Sequence, residues 1–266
     1  MAMKIDLASV LGLIAGPACI ICGQLLEGGH LSTLVQGSAA LIVIGASIGA
    51  CMLSFSPVFL KAAATDVRKV VGETTPDSFD VIDRLVDYSN ILNRDGPIAL
   101  QGSVQKEPYP LLSMALNLLV SNINPQTMMA ILERKFAENT RLNNAGAEVF
   151  EAAGGYLPTF GIMGAVLGLI HTMSMLNEPA KLGEGIATAF VATLYGVGAA
   201  NLLAYPISKK IRARAHAEKE LDKIVIMAIK GIQSGQRGMS LRQALTGGST
   251  TSGNSAVRLA RKGAAA

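Results

Sequence analysis

Long apolar stretches alternate with polar, helix-patterned ones along this chain. Residues 154–176 and 184–210 are the most telling. Each can cross the roughly 30 Å hydrocarbon core of a bilayer at about 1.5 Å per helical residue, and neither places an Asp or Glu at mid-membrane depth. Two further apolar stretches lie upstream, and neither holds an ionisable group other than cysteine. The pattern predicts an all-α polytopic membrane protein with four transmembrane helices, at about residues 7–24, 35–55, 155–176 and 185–207. These fall into two hairpins, residues 1–56 and 154–208, with a large cytoplasmic helical domain over 57–153 between helices 2 and 3. A cytoplasmic helical extension follows over 209–245.

The polar segments carry their own helix signals. Pro76, Asp77 and Ser78 open a helix whose Phe79, Ile82, Val86 and Leu92 share one face and which ends near Asn93. The turn Arg94, Asp95, Gly96, Pro97 follows. Pro108 and Pro110 then open an apolar helix over 111–120, too short to span. Asn122, Asn124 and Pro125 break the chain before a long helix from Gln126 towards Ala153, with Met129, Leu132, Phe136 and Leu142 as its buried stripe, running up to the third span. Helical periodicity continues over 209–234 through Ile211, Leu221, Ile224, Val225, Ala228 and Ile232. Residues 246–266 have too few large apolar groups to pack and read as a disordered basic tail. No segment has strand period.

Composition agrees with a membrane protein: 50% of residues are hydrophobic and 16% charged, where soluble domains carry about a quarter. Only Lys4 precedes the first span, so that span reads as retained rather than as a removable signal peptide. The connectors at 25–34 and 177–183 hold a single basic residue, Lys181, while the central segment and the tail hold nearly all the others. Positive charge stays inside, which puts both termini and the central domain in the cytoplasm. Lys209, Lys210, Arg212 and Arg214 follow the fourth span, where anionic headgroups attract them, so the net charge of +4 requires no nucleic acid. Cys19, Cys22 and Cys51 lie inside spans and read as small packing residues rather than metal or redox ligands.

Nothing resembles an active site. His30, His171 and His216 are far apart, no nucleophile elbow or phosphate loop is present, and no acidic cluster has metal spacing, so neither enzyme nor cofactor is expected. His171 reads as an interfacial side chain at the outer end of span three. A proton path through lipid needs a titratable group, and these spans lack a carboxylate; if ions pass, another polypeptide supplies the carrier. The spans do offer Thr159, Thr172, Thr188, Thr193, Tyr195 and Asn201, whose simplest use is hydrogen bonding between helices. Gly45 with Gly49, and Gly164 with Gly168, are spaced for close helix approach. Pro158 and Pro206 sit at the same depth, each removing a helix hydrogen bond; a helix start at Pro158 and a kink at Pro206 stand beside a hinge as readings.

Residues 145–211, AGAEVFEAAGGYLPTFGIMGAVLGLIHTMSMLNEPAKLGEGIATAFVATLYGVGAANLLAYPISKKI, closely resemble the membrane core of the MotA/PomA family of flagellar stator subunits. The likeness extends to the first hairpin and to the DGPIALQ turn at 95–101. It implies five identical subunits around two copies of a MotB-type partner, whose single transmembrane helix brings an ionisable Asp and whose periplasmic domain grips peptidoglycan. Ion flux would rotate the ring, and its cytoplasmic domain would push on the rotor protein FliG, all at the bacterial inner membrane. Pro158 and Pro206 match the family's functional prolines, and Thr193 its pore-lining threonine.

Sodium-driven members usually carry Thr where this chain has Ala165, and Ala165 cannot replace an ion's hydration. Proton coupling is therefore expected, with sodium as the alternative if groups such as Thr159 compensate. The rotor-facing turn departs from the family, which has a basic pair and a later Glu at the positions of Asn93, Arg94 and Gln101. A redistributed patch of Arg94, Lys106 and Glu107 is the expected substitute. A TolQ/ExbB-type energiser and a non-conducting scaffold remain open alternatives, and a self-contained transporter would need an internal carboxylate or a broken helix pair.

Overall fold

The computed structural model describes residues 4–5, 7–70, 72–73, 76–175 and 179–247. The end of the third predicted span at Leu176, the start of the connector after it, and the tail from residue 248 lie outside these residues. The described chain is helical except for a two-residue antiparallel pair, Lys4–Ile5 with Gly72–Glu73, a contact that no periodicity in so short a segment announces.

The helices in order are α1 (Leu7–Leu26), α2 (Gly37–Ala40), α3 (Ala46–Ser54), α4 (Pro57–Val70), α5 (Ser78–Asp95), α6 (Gln101–Val104), α7 (Pro110–Val120), α8 (Pro125–Met173), α9 (Pro179–Ala199), α10 (Tyr205–Gln233) and α11 (Gly238–Gly247). A π-helical turn, Leu41–Gly45, joins α2 to α3, and another, Ala200–Ala204, joins α9 to α10. Among the described residues, four helical stretches are long and apolar enough to cross a membrane: Ser9–Leu26, Leu31–Ser54, Pro125–Met173 and Gly185–Gln233. Residues 246 and 247, expected in the tail, are the last turn of α11.

The chain divides into two units, Met1–Thr75 with Thr140–His216 and Pro76–Asn139 with Ala217–Ala266. In the first, α1 exposes Leu11, Ile14, Ile21 and Leu25, a distribution suited to apolar surroundings rather than water. The packed centre of this unit is built of small groups: Ala39, Val43, Leu157, Val191, Ala192, Ala200 and Ala204.

Backbones of α8 and α9 meet along a seam of Gly and Ala. A Cβ on Gly161 would lie 3.1 Å from the Ala192 carbonyl, one on Gly164 2.9 Å from the Ala192 Cβ, and one on Gly168 3.0 Å from the Ala189 Cβ. From the other side, a Cβ on Gly196 would stand 3.0 Å from the Gly161 Cα and 3.2 Å from the Pro158 Cα. Gly164 and Gly168 thus work as their spacing predicts, whereas a Cβ on Gly49 would meet nothing within 4 Å and one on Gly45 only Leu41 of its own helix.

The second unit holds a conventional core of Val81, Ile82, Leu85, Leu100, Leu112, Leu116, Met128, Leu132, Leu221, Val225 and Ile229. Asp77 caps α5 by accepting the Phe79 N–H at 3.1 Å, and Gly96, at φ 81°, ends it in a conformation that favours glycine. Asn122 takes the left-handed region at φ 51° after α7, and Asn124 Oδ1 accepts the Gln126 N–H at 2.9 Å to start α8. The expected stripe on α5 is rotated by about one residue. Val81 and Leu85 join Ile82 in the core, and Phe79, Val86 and Leu92 are only half-buried, because α11 packs on α5 and brings Leu241 and Leu245 into the core with Val81 and Leu85. On α8, Met128 is buried in place of Met129, which with Phe136 and Leu142 stays half-buried, while Leu132 is fully buried.

Gly196→Val places side-chain atoms against the α8 backbone, which cannot rotate away, so the helices must part at a cost of about 1–3 kcal/mol. The thermal midpoint of the detergent-purified protein falls for Gly196→Val and stays within error for Gly49→Ala.

Candidate ion pathway and the turn after α5

The seam gathers several of the residues singled out from sequence. A Cβ at Gly161 of α8 would lie 3.5 Å from the Thr193 Cα of α9, Pro158 abuts Gly196, and Ala165 stands one turn beyond Gly161 on α8. Thr193 is half-buried, and its hydroxyl reaches back to the Ala189 carbonyl at 3.5 Å, a long contact that leaves it free to bond elsewhere. Thr159 is exposed on α8 and donates to the Tyr156 carbonyl at 2.7 Å. Its hydroxyl is committed to its own helix, and it points away from the seam.

Pro158 is not a helix start. It lies inside the 49-residue α8, about two-thirds of the way along an unbroken run. Pro206 is the second residue of α10, exposed, directly after the π turn at Ala200–Ala204. Proline has no N–H for the carbonyl four residues earlier, and the wide turn upstream takes up that mismatch without ending the helix.

Other polar groups in the spans bond back to the preceding turn: Ser47 to the Val43 carbonyl at 2.6 Å, Thr172 to that of Gly168 at 2.9 Å, and Asn201 to that of Val197 at 3.0 Å. Side-chain bonds also join different helices. Ser208 of α10 donates to the Ala147 carbonyl of α8 at 2.8 Å, and Ser54 of α3 lies 2.9 Å from the Tyr156 hydroxyl. The Tyr195 hydroxyl donates to the carbonyl of Leu34. No group of three or more His, Cys, Asp or Glu residues that could hold a metal ion is present among the described residues. Cys19 and Cys22 are exposed on α1 and Cys51 is buried, all as free thiols.

The turn after α5 differs from the expected charge patch at one residue. Arg94, Gln101 and Lys106 are exposed, but Glu107 is buried and its side chain has no exposed surface. Its carboxylate accepts the Tyr88 hydroxyl at 2.8 Å and the Tyr109 N–H at 3.0 Å, with the Arg84 guanidinium 3.5 Å away. A carboxylate so enclosed is a structural acceptor that orders the loop before α7, and it is removed from the surface patch. The anion beside Arg94 is instead Asp95, whose carboxylate takes three hydrogen bonds from the guanidinium at 2.8–3.1 Å. Arg94 holds the Asp95 carboxyl below the usual carboxylate range. Sequence adjacency concealed this pair, because neighbouring residues on a helix do not ordinarily face each other. Here Asp95 is the last helical residue, where that rule relaxes. Sequence spacing also missed Gly161 and Gly196, which make the closest backbone approach; their intervals to the seam residues are three and four, a signal diluted by the many glycines of the spans.

Two family models match the chain: Motility protein A N-terminal over residues 10–95 and the MotA/TolQ/ExbB proton channel family over residues 104–223. Motility protein A of Bacillus subtilis (strain 168) is 28% identical over 241 residues, covering 90% of this chain and 89% of the relative. Among solved structures, C. jejuni MotAB superposes with a TM-score of 0.83 at 28% identity, covering 91% of this chain and 94% of that one. The flagellar MotAB stator complex from Bacillus subtilis gives 0.78 at 27% identity, covering 89% and 93%.

Burial and the bond to Glu107 push the Tyr88 hydroxyl up to about 12 from its ordinary 10.0. A group whose pKa is raised by folding stabilises the fold fully below its unfolded value and loses that contribution as pH climbs through the folded one. Melting temperature therefore declines between pH 10 and pH 12 in the wild-type protein, and Tyr88→Phe flattens this decline. At pH 8 the same substitution leaves Glu107 one donor short and costs about 1–3 kcal/mol.

Proposed function

Given that this chain belongs to the MotA family of flagellar stator subunits, we propose that it couples proton flow to rotation, using a carboxylate that it does not itself contain. As a stator subunit it forms a channel with a MotB-type partner. The match of residues 10–95 to the motility protein A model favours the flagellar branch over a TolQ/ExbB-type energiser. The observation that carries the reading is chemical. The spans have no Asp or Glu between the membrane faces, while the α8–α9 seam presents one incompletely bonded hydroxyl, Thr193.

In this reading the partner's single transmembrane helix brings an Asp opposite Thr193. Its charge in the low-dielectric interior is bearable only when protonated or met by polar groups, so proton arrival and departure alternately release and hold the partner helix. Ala165 supports a proton over sodium, because a methyl group contributes no oxygen to a desolvated metal ion. Five copies of the chain surround the partner, both termini face the cytoplasm, and the second unit pushes on FliG. The rotor contact uses Arg94, Asp95, Gln101 and Lys106, with Glu107 excluded by its burial. Pro158 sits in the seam beside Gly196, and Pro206 follows the π turn; both weaken the helices between membrane and cytoplasm and serve as hinges.

Cells in which this chain is the only stator subunit swim at a speed that follows proton-motive force and is unchanged when external sodium is replaced by potassium. Paralysis on sodium removal would overturn the ion assignment, and undiminished swimming after deletion of the chain would overturn the stator reading. Pro158→Leu and Pro206→Leu each lower motor torque at least tenfold while the protein still inserts and still co-purifies with its partner; normal torque in either variant removes that proline from the hinge.

A further inference from the structure

Span two does not begin as a continuous helix. A short 3-10 turn, Leu31–Leu34, ends at Val35 and Gln36, both extended (φ −98°, ψ 95° and φ −122°, ψ 103°), before α2 starts at Gly37. An extended pair interrupts the helical ladder and leaves backbone groups that the helix cannot satisfy. One side chain meets two of them. The half-buried Tyr195 hydroxyl of α9 accepts the Gln36 N–H at 3.1 Å and donates to the Leu34 carbonyl.

The place of Tyr195 on α9 gives this tether a consequence. At about 100° per residue, Ala189, Ala192 and Gly196, which face α8, lie between Thr193 on one side and Tyr195 on the other. A seam of Gly and Ala allows close approach but offers few protrusions to resist turning about the helix axis. The Tyr195 hydroxyl has two fixed backbone partners and cannot follow such a turn without losing both.

We propose that Tyr195 is a positioning residue of the ion pathway: its hydroxyl, locked into the break of span two, sets the rotation of α9 and therefore the direction in which Thr193 faces. The proposal rests on the stator reading above, with Thr193 on the pathway. Tyr195 touches no ion. It acts through the helix that carries Thr193, and its effect is on the rate of coupled turnover rather than on assembly.

The test uses the full chain with its single-span partner, in nanodiscs for hydrogen exchange and in cells lacking other stator subunits for rotation. Four proteins are compared: wild type, Tyr195→Phe, and Tyr195 replaced by 4-aminophenylalanine or by 4-methylphenylalanine. The amine keeps a polar group at the hydroxyl position, and the methyl fills the same volume without one. In Tyr195→Phe and the methyl variant, amide exchange over residues 34–37 rises at least tenfold and single-motor speed falls at least twofold at unchanged membrane level and partner recovery. The amine restores both. Wild-type exchange in Tyr195→Phe overturns the tether, and raised exchange with wild-type speed overturns the positioning role. Equal rescue by amine and methyl would reduce Tyr195 to a packing residue and overturn the proposal. A wild-type chain that turns no motor sinks the stator reading and the proposal with it, and the exchange arm tells that failure apart from loss of the tether.

Discussion

Hydrocarbon offers nothing to a backbone amide or to a bare charge, and the membrane unit of this chain is arranged around that refusal. Its helices continue through Pro158 without a break and pass Pro206 by way of a π turn. Ser47, Thr172 and Asn201 return their hydrogen bonds to the preceding turn of their own helix. Where the helix of span two is interrupted near its start, a tyrosine from another helix bonds the Gln36 N–H and the Leu34 carbonyl. With these groups returned to the backbone, the α8–α9 seam keeps a loosely held hydroxyl, Thr193, 3.5 Å from the Ala189 carbonyl of its own helix.

The same constraint decides how the helices pack. Lipid tails are as apolar as leucine, so burying large side chains between spans gains little, and close backbone contact through Gly161, Gly164, Gly168, Ala189, Ala192 and Gly196 takes over. The second unit faces the opposite situation. There Leu112, Leu116, Leu132, Leu221 and Ile229 are removed from water, and hydrophobic burial works as it does in soluble proteins. Two buried carboxylates of that unit are held by hydrogen-bond donors. Glu107 is held by Tyr88 and the Tyr109 amide, and Asp222 by Tyr109 at 2.6 Å and Asn139 at 3.3 Å.

Much of the fold was legible because it depends on local chemistry. Hydropathy located the four spans, and the Asp77 cap and the Asn122 and Asn124 breaks appear where their residue types demand them. Long-range partners were not legible. Glu107 reads as a surface charge beside Lys106, and only the approach of Tyr88 and Arg84 from α5 makes it interior. Gly45 with Gly49 and Gly164 with Gly168 have the same spacing, yet only the second pair faces another helix within the chain. Tyr195 looked like one hydroxyl among several, since nothing in its own helix announces the break between Leu34 and Gly37 that it fills. Thr193 and the prolines were identified through resemblance, and the seam gives a physical reason for Thr193 and Pro158 to be neighbours of one close contact.

The account stands on the separation of duties between a subunit that shapes the path and a partner that carries the titrating acid. Proton flux into liposomes, driven by an imposed membrane potential and followed with a pH-sensitive dye inside, tests this directly. With the chain alone the account predicts flux no greater than in empty liposomes, and a rise above that level when the single-span partner is included, lost again when its membrane Asp is changed to Asn. Equal flux with and without the partner would contradict it.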